Sequence, residues 1–370
     1  MRSPKVIVSG GGTGGHIFPA IAIANAVRLK YPDADILFVG AKGRMEMEKV
    51  PKAGYSIEGL WISGIQRKLT LSNLLFPFKL ISSLWKSRKI IKRFKPNLCI
   101  GVGGFASGPL LKAATWAGIP TLIHESNSYP GITNKLLGKS VSTVCVAFSD
   151  MQKFFPKAKT LVITGNPVRQ EILKTKGKRK YALDNFGFDQ NKPVVLLIGG
   201  SQGARSINHA IDADLEKFIE KGYQLLWQTG RFYTQESNMR LKTIGSHLLR
   251  AYEFIYDMDL AYAVADVIIS RSGAMSVTEI SIVGKPCILI PFPFAAEDHQ
   301  TENAMTLVNN GAGILVKDAE VKQKLFPTID MLLSDTEKRE KLIQNIEKLK
   351  IENAADLIMI EVDKLLKIDG

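Results

Sequence analysis

Hydrophobic residues along this chain gather in short, nearly unbroken runs rather than alternating with polar ones. The first half holds KVIVSGG, ADILFVGA, NLCIGVGG, PTLIHES, STVCVAF and TLVITGN; the second holds PVVLLIGG, YQLLWQTG, EFIYDM, DVIISRSG and PCILIPF. Runs of this kind predict parallel strands covered on both faces. Stretches of helical period separate them, so the predicted class is α/β with doubly wound parallel sheets. The design is used twice, because each half opens on a strand and a glycine-rich loop: VIVSGGGTGGH from Val6 and VVLLIGGSQGARS from Val194. The basic, polar stretch beginning TGNPVRQEIL reads as the crossing, which puts a boundary near Gly165 to Arg169 and predicts domains 1–165 and 166–349. The amphipathic last stretch, about 350–370, predicts a helix. Its pattern fits packing on the second half or back on the first.

Length and composition keep this picture within globular proteins. The 370 residues are 45% hydrophobic and 23% charged, enough to bury a sizeable core in each half. Cys99, Cys145 and Cys287 are scattered through strand-like runs, which predicts buried thiols in a reducing compartment rather than a disulfide framework. No signal peptide precedes the first strand, and no apolar run approaches the ~18 residues of a membrane span. The chain is therefore expected to be soluble or to lie on a membrane surface.

Charge changes the picture more. The net charge is +14, and no Asp or Glu occurs from Gly59 to His124, a stretch holding ten Lys and Arg. A block of this sign implies an anionic partner: nucleic acid, anionic lipid or a phosphorylated substrate.

Glycine-rich turns at strand ends let backbone amides approach a phosphate, and a following helix N-terminus adds partial positive charge. Candidates are Gly10–Gly15, Gly101–Gly104, Gly199–Gly203 and the turn RSGAMSVTE from Arg271 to Glu279. Gly10, Gly12 and Gly15 spell the dinucleotide fingerprint by letter. A nicotinamide site also needs an acid at the tip of the second strand. Here that tip is Gly40 and Ala41, and Asp35 lies at the strand's wrong end. A dehydrogenase is set aside.

Six motifs in order, GGGTGGHIFPA, GVGGFASGP, HESNSYPGITNKLL, TGNPVR, GGSQGARSIN and RSGAMSVTEISIVGKPCILIPFP with DHQTENA, resemble the MurG family over roughly Val6 to Leu315. The resemblance implies a GT-B fold, two Rossmann-like domains facing across a cleft. It implies an inverting transfer of N-acetylglucosamine from UDP-GlcNAc to the C4 hydroxyl of a lipid-linked acceptor, lipid I, yielding lipid II. The N-terminal domain would bind acceptor and membrane, and the C-terminal domain the donor.

Carried over residue by residue, the resemblance places Ser201 near the donor diphosphate and the Ile255 backbone at the uracil. Ala274, Met275, Ser276, Val277, Thr278 and Glu279 would hold the uridine diphosphate, with Glu279 on the ribose hydroxyls. Gln300 would bond the sugar, and Arg169 would approach the donor from the linker. Thr13, Gly14, Gly15 and Asn127 would reach it from the opposite domain. Gly12, Gly103 and Gly104 would serve the acceptor diphosphate. A neutral His suits a base near pH 7, and His16 is the first candidate. His124 with Glu125 forms a second catalytic candidate, suited to orienting sugar or acceptor. Each also has a plainer reading: a capping or core role for His16 and His124, and for Glu279 a first-turn carboxylate favouring the helix dipole. His209 and His247 read as surface residues, and His299 flanks Gln300. No D-x-D motif stands in a plausible site, so neither a metal nor another cofactor is expected. Phe105 stands where the family often has a hydroxyl-bearing aromatic, and Ser126 replaces a commoner Gln.

In RKLTLSNLLFPFKLISSLWKSRKIIKRFK, Leu71, Leu74, Leu75, Phe78, Ile81 and Trp85 recur at helical spacing, with Pro77 at a start or break. A core-facing helix shows the same stripe. Its dense basic flank suits an anionic bilayer, and the expected location is the cytoplasmic side of the inner membrane, peripherally bound. No nucleic-acid module is present. Two alternatives stay open: a GT-B enzyme using the same donor class on another lipid such as a diacylglycerol, and a non-catalytic nucleotide-binding protein of the membrane surface.

Overall fold

A computed structural model describes residues 3–64 and 74–367. The chain divides into two compact units, Met1–Val168 with Asn353–Gly370, and Arg169–Glu352. The first is built on strands β1 (Lys5–Ser9), β2 (Asp35–Ala41), β3 (Ser56–Leu60), β4 (Leu98–Gly101), β5 (Thr121–Glu125), β6 (Thr143–Val146) and β7 (Leu161–Ile163). They form one parallel sheet in the order β3-β2-β1-β4-β5-β6-β7. The runs lack alternation because successive residues feed two cores. Val6 and Val8 pack on one side with Ala20, Ile23 and Val27 of the helix Gly14–Lys30. Ile7 packs on the other with Leu110, Leu111 and Ala114 of the helix Ser107–Trp116.

The second unit repeats the plan with β8 (Val194–Ile198), β9 (Gln224–Gln228), β10 (Leu249–Tyr252), β11 (Val267–Ser270), β12 (Cys287–Leu289) and β13 (Ile314–Leu315). Their order is β10-β9-β8-β11-β12-β13, again parallel. The run EFIYDM is not a strand. The edge strand precedes it at Leu249–Tyr252, and Met258 already opens the helix Met258–Val264. The apolar signal there comes from Ile255, which is buried as a loop residue with its amide donating to Gln228 Oε1 at 3.0 Å. Edge strands such as β3 and β10 have a neighbour on one side only and tolerate Glu58 and Arg250, which hides them from an apolar-run reading.

Both strand orders reverse beside the first strand of their unit, between β1 and β4 and between β8 and β11. Ligands of open α/β sheets bind at such switch points, outside the strands' carboxyl ends. The four glycine-rich turns leave β1, β4, β8 and β11, the strands flanking the two reversals.

The last helix, Ala354–Leu366, packs in the first unit. Ile358, Met359 and Val362 join the core of Val6 and Val8. Asp363 pairs with Lys30 and accepts from Tyr31 Oη at 2.5 Å. All three cysteines are buried. Burial pushes the thiols of Cys99 and Cys287 up to about 12, and that of Cys145 up as well, which keeps them in the unreactive protonated form.

Candidate active site

In the first unit the site begins at Thr13, extended backbone ahead of the helix Gly14–Lys30. Its carbonyl accepts from the amides of His16 and Ile17, both at 3.1 Å. His16 therefore sits in the first turn, half-buried, with Nδ1 3.1 Å from the Gly11 carbonyl oxygen. A carbonyl only accepts, so in the neutral ring Nδ1 carries the hydrogen and Nε2 keeps its lone pair. Nε2 lies against the second loop, where a Cβ on Gly103 would come within 2.9 Å of it. Gly104 has φ of 85°, and a Cβ there would meet the Gly11 oxygen at 2.4 Å. The two loops thus touch backbone to backbone. Phe105 is 41% exposed, and its ring fills the space over Gly64.

Three expected site residues of this unit already have partners within the protein. The Gly12 amide, expected at an acceptor diphosphate, donates to Glu46 Oε2 at 2.9 Å. His124 is fully buried on β5, with Nε2 2.9 Å from the Gly165 carbonyl and Nδ1 3.4 Å from Ser126 Oγ. Desolvation pulls its imidazole down to about 4, against the smaller upward effect of the Gly165 bond, so near neutral pH it is a neutral buried group. Glu125, 2% exposed, accepts four hydrogen bonds: from the Asn127 amide at 3.0 Å, Asn127 Nδ2 at 3.2 Å, the Gly131 amide at 3.1 Å and Asn134 Nδ2 at 2.9 Å. It organises the loop after β5. The Ser126 hydroxyl serves His124, which gives that departure from the family pattern a local purpose.

In the second unit the helix Ala274–Val283 follows Gly273, and its first intrahelical bond is Val277 N–H to Gly273 O at 3.0 Å. The amides of Ala274, Met275 and Ser276 precede that bond and point out of the helix start, as an anion requires. Val277 is fully buried and contributes packing, not a side-chain contact. The Thr278 hydroxyl donates to Ala274 O at 2.9 Å. Glu279 accepts from Tyr262 Oη at 2.9 Å and from Arg169 Nη2 at 3.3 Å, with its side chain 12% exposed. Burial raises its carboxyl above the ordinary value, with Arg169 opposing. A carboxylate offers about four acceptor positions, so two remain for two hydroxyls.

The neighbouring loops complete this side. Ser201 is exposed at the tip of the turn after β8. Gly203, at φ of 88°, lies so close to Thr229 that a Cβ would meet its carbonyl at 2.4 Å. Gln300 accepts from the Phe292 amide at 2.9 Å, leaving its NH₂ as the donor end. A 640 Å³ cavity runs from Gly199 and Gly203 past Gln300 and Phe294 to Ser206 and Arg271. Its floor is a network: Arg271 donates to Asp318 at 2.5 Å and to Ser206 Oγ at 3.0 Å, and Ser206 Oγ donates to Asp318 at 2.6 Å. His209 and His247 are exposed, His209 accepting from Arg205 Nε at 3.3 Å, and His299 Nδ1 lies 2.5 Å from Ala296 O.

Sequence reasoning missed Glu46, Asn134, Tyr262 and the Arg271–Asp318 pair. Each acts through a partner at least nine residues away or through backbone amides, and no local spacing announces that.

The helix Phe76–Phe94 exposes apolar side chains over its first half. Ser83 and Ser87 are buried beside Ile90 and Ile91, while Leu75, Phe78, Ile81 and Trp85 are 46%, 65%, 65% and 58% exposed. Lys89 lies 3.6 Å over the Trp85 ring. Pro77 sits in the first turn. Leu71, Arg67 and Lys68 lie outside the described residues.

Two parallel α/β units, each with glycine turns at its sheet's switch point, are the domains of the GT-B fold. Comparison with known proteins narrows this. The glycosyltransferase family 28 N-terminal domain matches residues 6–146, and the family 28 C-terminal domain matches 194–358. A UDP-N-acetylglucosamine–N-acetylmuramyl-(pentapeptide) pyrophosphoryl-undecaprenol N-acetylglucosamine transferase of Christiangramia forsetii is 53% identical over 98% of both chains. The like-named protein of Flavobacterium psychrophilum is 50% identical over 99% of both. The crystal structure of Acinetobacter baumannii MurG superposes with a TM-score of 0.78 at 28% identity, covering 98% of this chain and 99% of that one. The chain belongs to glycosyltransferase family 28.

Proposed function

We propose that this chain moves N-acetylglucosamine from UDP-N-acetylglucosamine to the C4 hydroxyl of undecaprenyl-pyrophosphoryl-MurNAc-pentapeptide, forming lipid II with inversion at the anomeric carbon. One observation carries the reading: identity of about half, end to end, with proteins named for that transfer. The site geometry supports it. The acceptor oxygen attacks the anomeric carbon of the α-linked donor, the bond from that carbon to UDP oxygen breaks, and UDP leaves with the electron pair. The hydroxyl proton passes to Nε2 of His16, whose lone pair the Gly11 contact leaves available. Amides at Ala274 to Ser276 and the loop at Ser201 stabilise the departing diphosphate, and Glu279 holds the ribose. Gln300 donates to the sugar. Thr13, Gly14, Gly15 and Asn127 are the first unit's proposed donor residues, and Gly103 and Gly104 its proposed residues for the acceptor diphosphate.

The acceptor is a membrane lipid, and the exposed apolar face of Phe76–Phe94 with its flanking cations suits an anionic bilayer. Among the described residues no helix is long and apolar enough to cross a membrane. The enzyme works as a peripheral protein on the cytoplasmic side of the inner membrane.

Labelled UDP-N-acetylglucosamine offered with a lipid I analogue, with diacylglycerol, or with no acceptor tests the reading. Label is expected on the lipid I analogue alone. Transfer to diacylglycerol would select the other-lipid enzyme, and donor binding without transfer a non-catalytic protein.

A further inference from the structure

We propose that Glu46 is a positioning residue for this transfer, holding His16 in its proton-accepting tautomer through the single peptide group between Gly11 and Gly12. The inference rests on the reading of His16 as the base. Glu46 is 0% exposed, in the first turn of the helix Glu46–Lys52, far in sequence from the loop it serves. Its Oε2 accepts the Gly12 amide and its Oε1 the Ala41 amide, both at 2.9 Å. Its partners are amides from the ends of β1 and β2, not a cation.

The space for this carboxylate is purpose-built. A Cβ on Gly11 would lie 2.2 Å from the Glu46 carboxyl carbon, and one on Gly40 would lie 2.6 Å from its Cγ. Two glycines from different loops are matched to one buried carboxylate.

The N–H of Gly12 and the C=O of Gly11 belong to the same planar trans peptide, so they point in opposite directions. On one side the N–H meets Glu46. On the other the C=O meets His16 Nδ1 at 3.1 Å. A carboxylate pulling on the N–H polarises the peptide and strengthens its carbonyl as an acceptor. It also prevents the peptide from flipping, which would turn an N–H toward Nδ1 and favour the opposite tautomer. The loop that looks like a phosphate cradle therefore carries its own internal anion, whose effect is delivered to the imidazole.

The test uses the full-length protein with ¹⁵N-labelled histidine. In wild type, the His16 resonances are expected to show a protonated Nδ1 and an unprotonated Nε2. In E46Q the side chain keeps its size but turns an NH₂ toward one of the two amide donors, and the tautomers are expected to mix. UDP binding should be retained and donor KM little changed, while kcat falls roughly tenfold or more. G11A, whose new Cβ displaces the carboxylate, should reproduce the same spectrum and the same kcat-only loss. An unchanged His16 spectrum in E46Q overturns the relay whatever the activity. A mixed spectrum together with full activity in H16N overturns the base reading instead.

Discussion

At Glu279 the structure joins three side chains that sequence separates widely. Tyr262 and Arg169 hold the carboxylate and leave two acceptor positions. Hydrogen bonds to a charged group contribute about 1.5–3 kcal/mol each, so E279Q is expected to weaken UDP-N-acetylglucosamine binding roughly ten- to a hundredfold. It should also lose discrimination against the 2′-deoxyribose donor. Wild-type-like discrimination in E279Q would remove Glu279 from the ribose. His124 makes a different kind of statement. Its imidazole is held neutral down to about 4 against an ordinary 6.5, so between those values the unfolded chain binds the proton and the native chain does not. Stability therefore falls as pH drops through that window, by up to about 3 kcal/mol from this group. Urea unfolding at pH 7 and pH 4.5 should show wild type losing more stability than H124Q. Equal losses would contradict the buried-neutral assignment.

Among the elements, the helix Phe76–Phe94 and the paired glycine loops carry separable consequences. Phe78 and Trp85 are largely exposed, so F78S with W85S should leave unfolding stability within about 0.5 kcal/mol. Burying a large apolar side chain contributes about 1.5–3 kcal/mol, so partition onto anionic vesicles should fall at least roughly tenfold. Vesicle binding unaffected by the double change would leave only its cations to explain attraction. Gly104 is the reverse case, invisible on the surface and costly within. With φ of 85° and the Gly11 oxygen 2.4 Å from an added Cβ, G104A must push the two loops apart. A loss of roughly 1–3 kcal/mol in thermal or urea unfolding is expected, with activity lost alongside. Unbroken apolar runs announced most central strands because both faces are covered. The edge strand β10 did not announce itself because Arg250 and Tyr252 interrupt its apolar run; Arg250 is held by the Phe186 and Gly187 carbonyls at 3.1 and 3.2 Å instead. Helical spacing showed the Phe78–Trp85 stripe but not its direction. That depends on Ser83 and Ser87 facing inward, against ordinary preference.

Over the whole molecule, the doubled α/β plan was legible because strand and glycine loop recur in the same order in each half. The switch points follow from that plan, and the motifs fall on them. What sequence withheld was long-range pairing. The last helix joins the first unit through Asp363 with Lys30 and Tyr31, contacts that its amphipathic pattern alone does not specify. Glu46 reaches back to Gly12 across a helix, a strand and a turn. The Gly12 amide, expected at a diphosphate, is bonded to a carboxylate that no local pattern announced. The central claim is a transfer chemistry, and its product carries the most direct record. Wild-type protein is incubated with ¹³C-labelled UDP-N-acetylglucosamine and a lipid I analogue, and the product is read by NMR. The account predicts a β-linked N-acetylglucosamine on C4 of the muramoyl residue, with one UDP released for each linkage formed. An α linkage, attachment at another position, or UDP release without a disaccharide would contradict it.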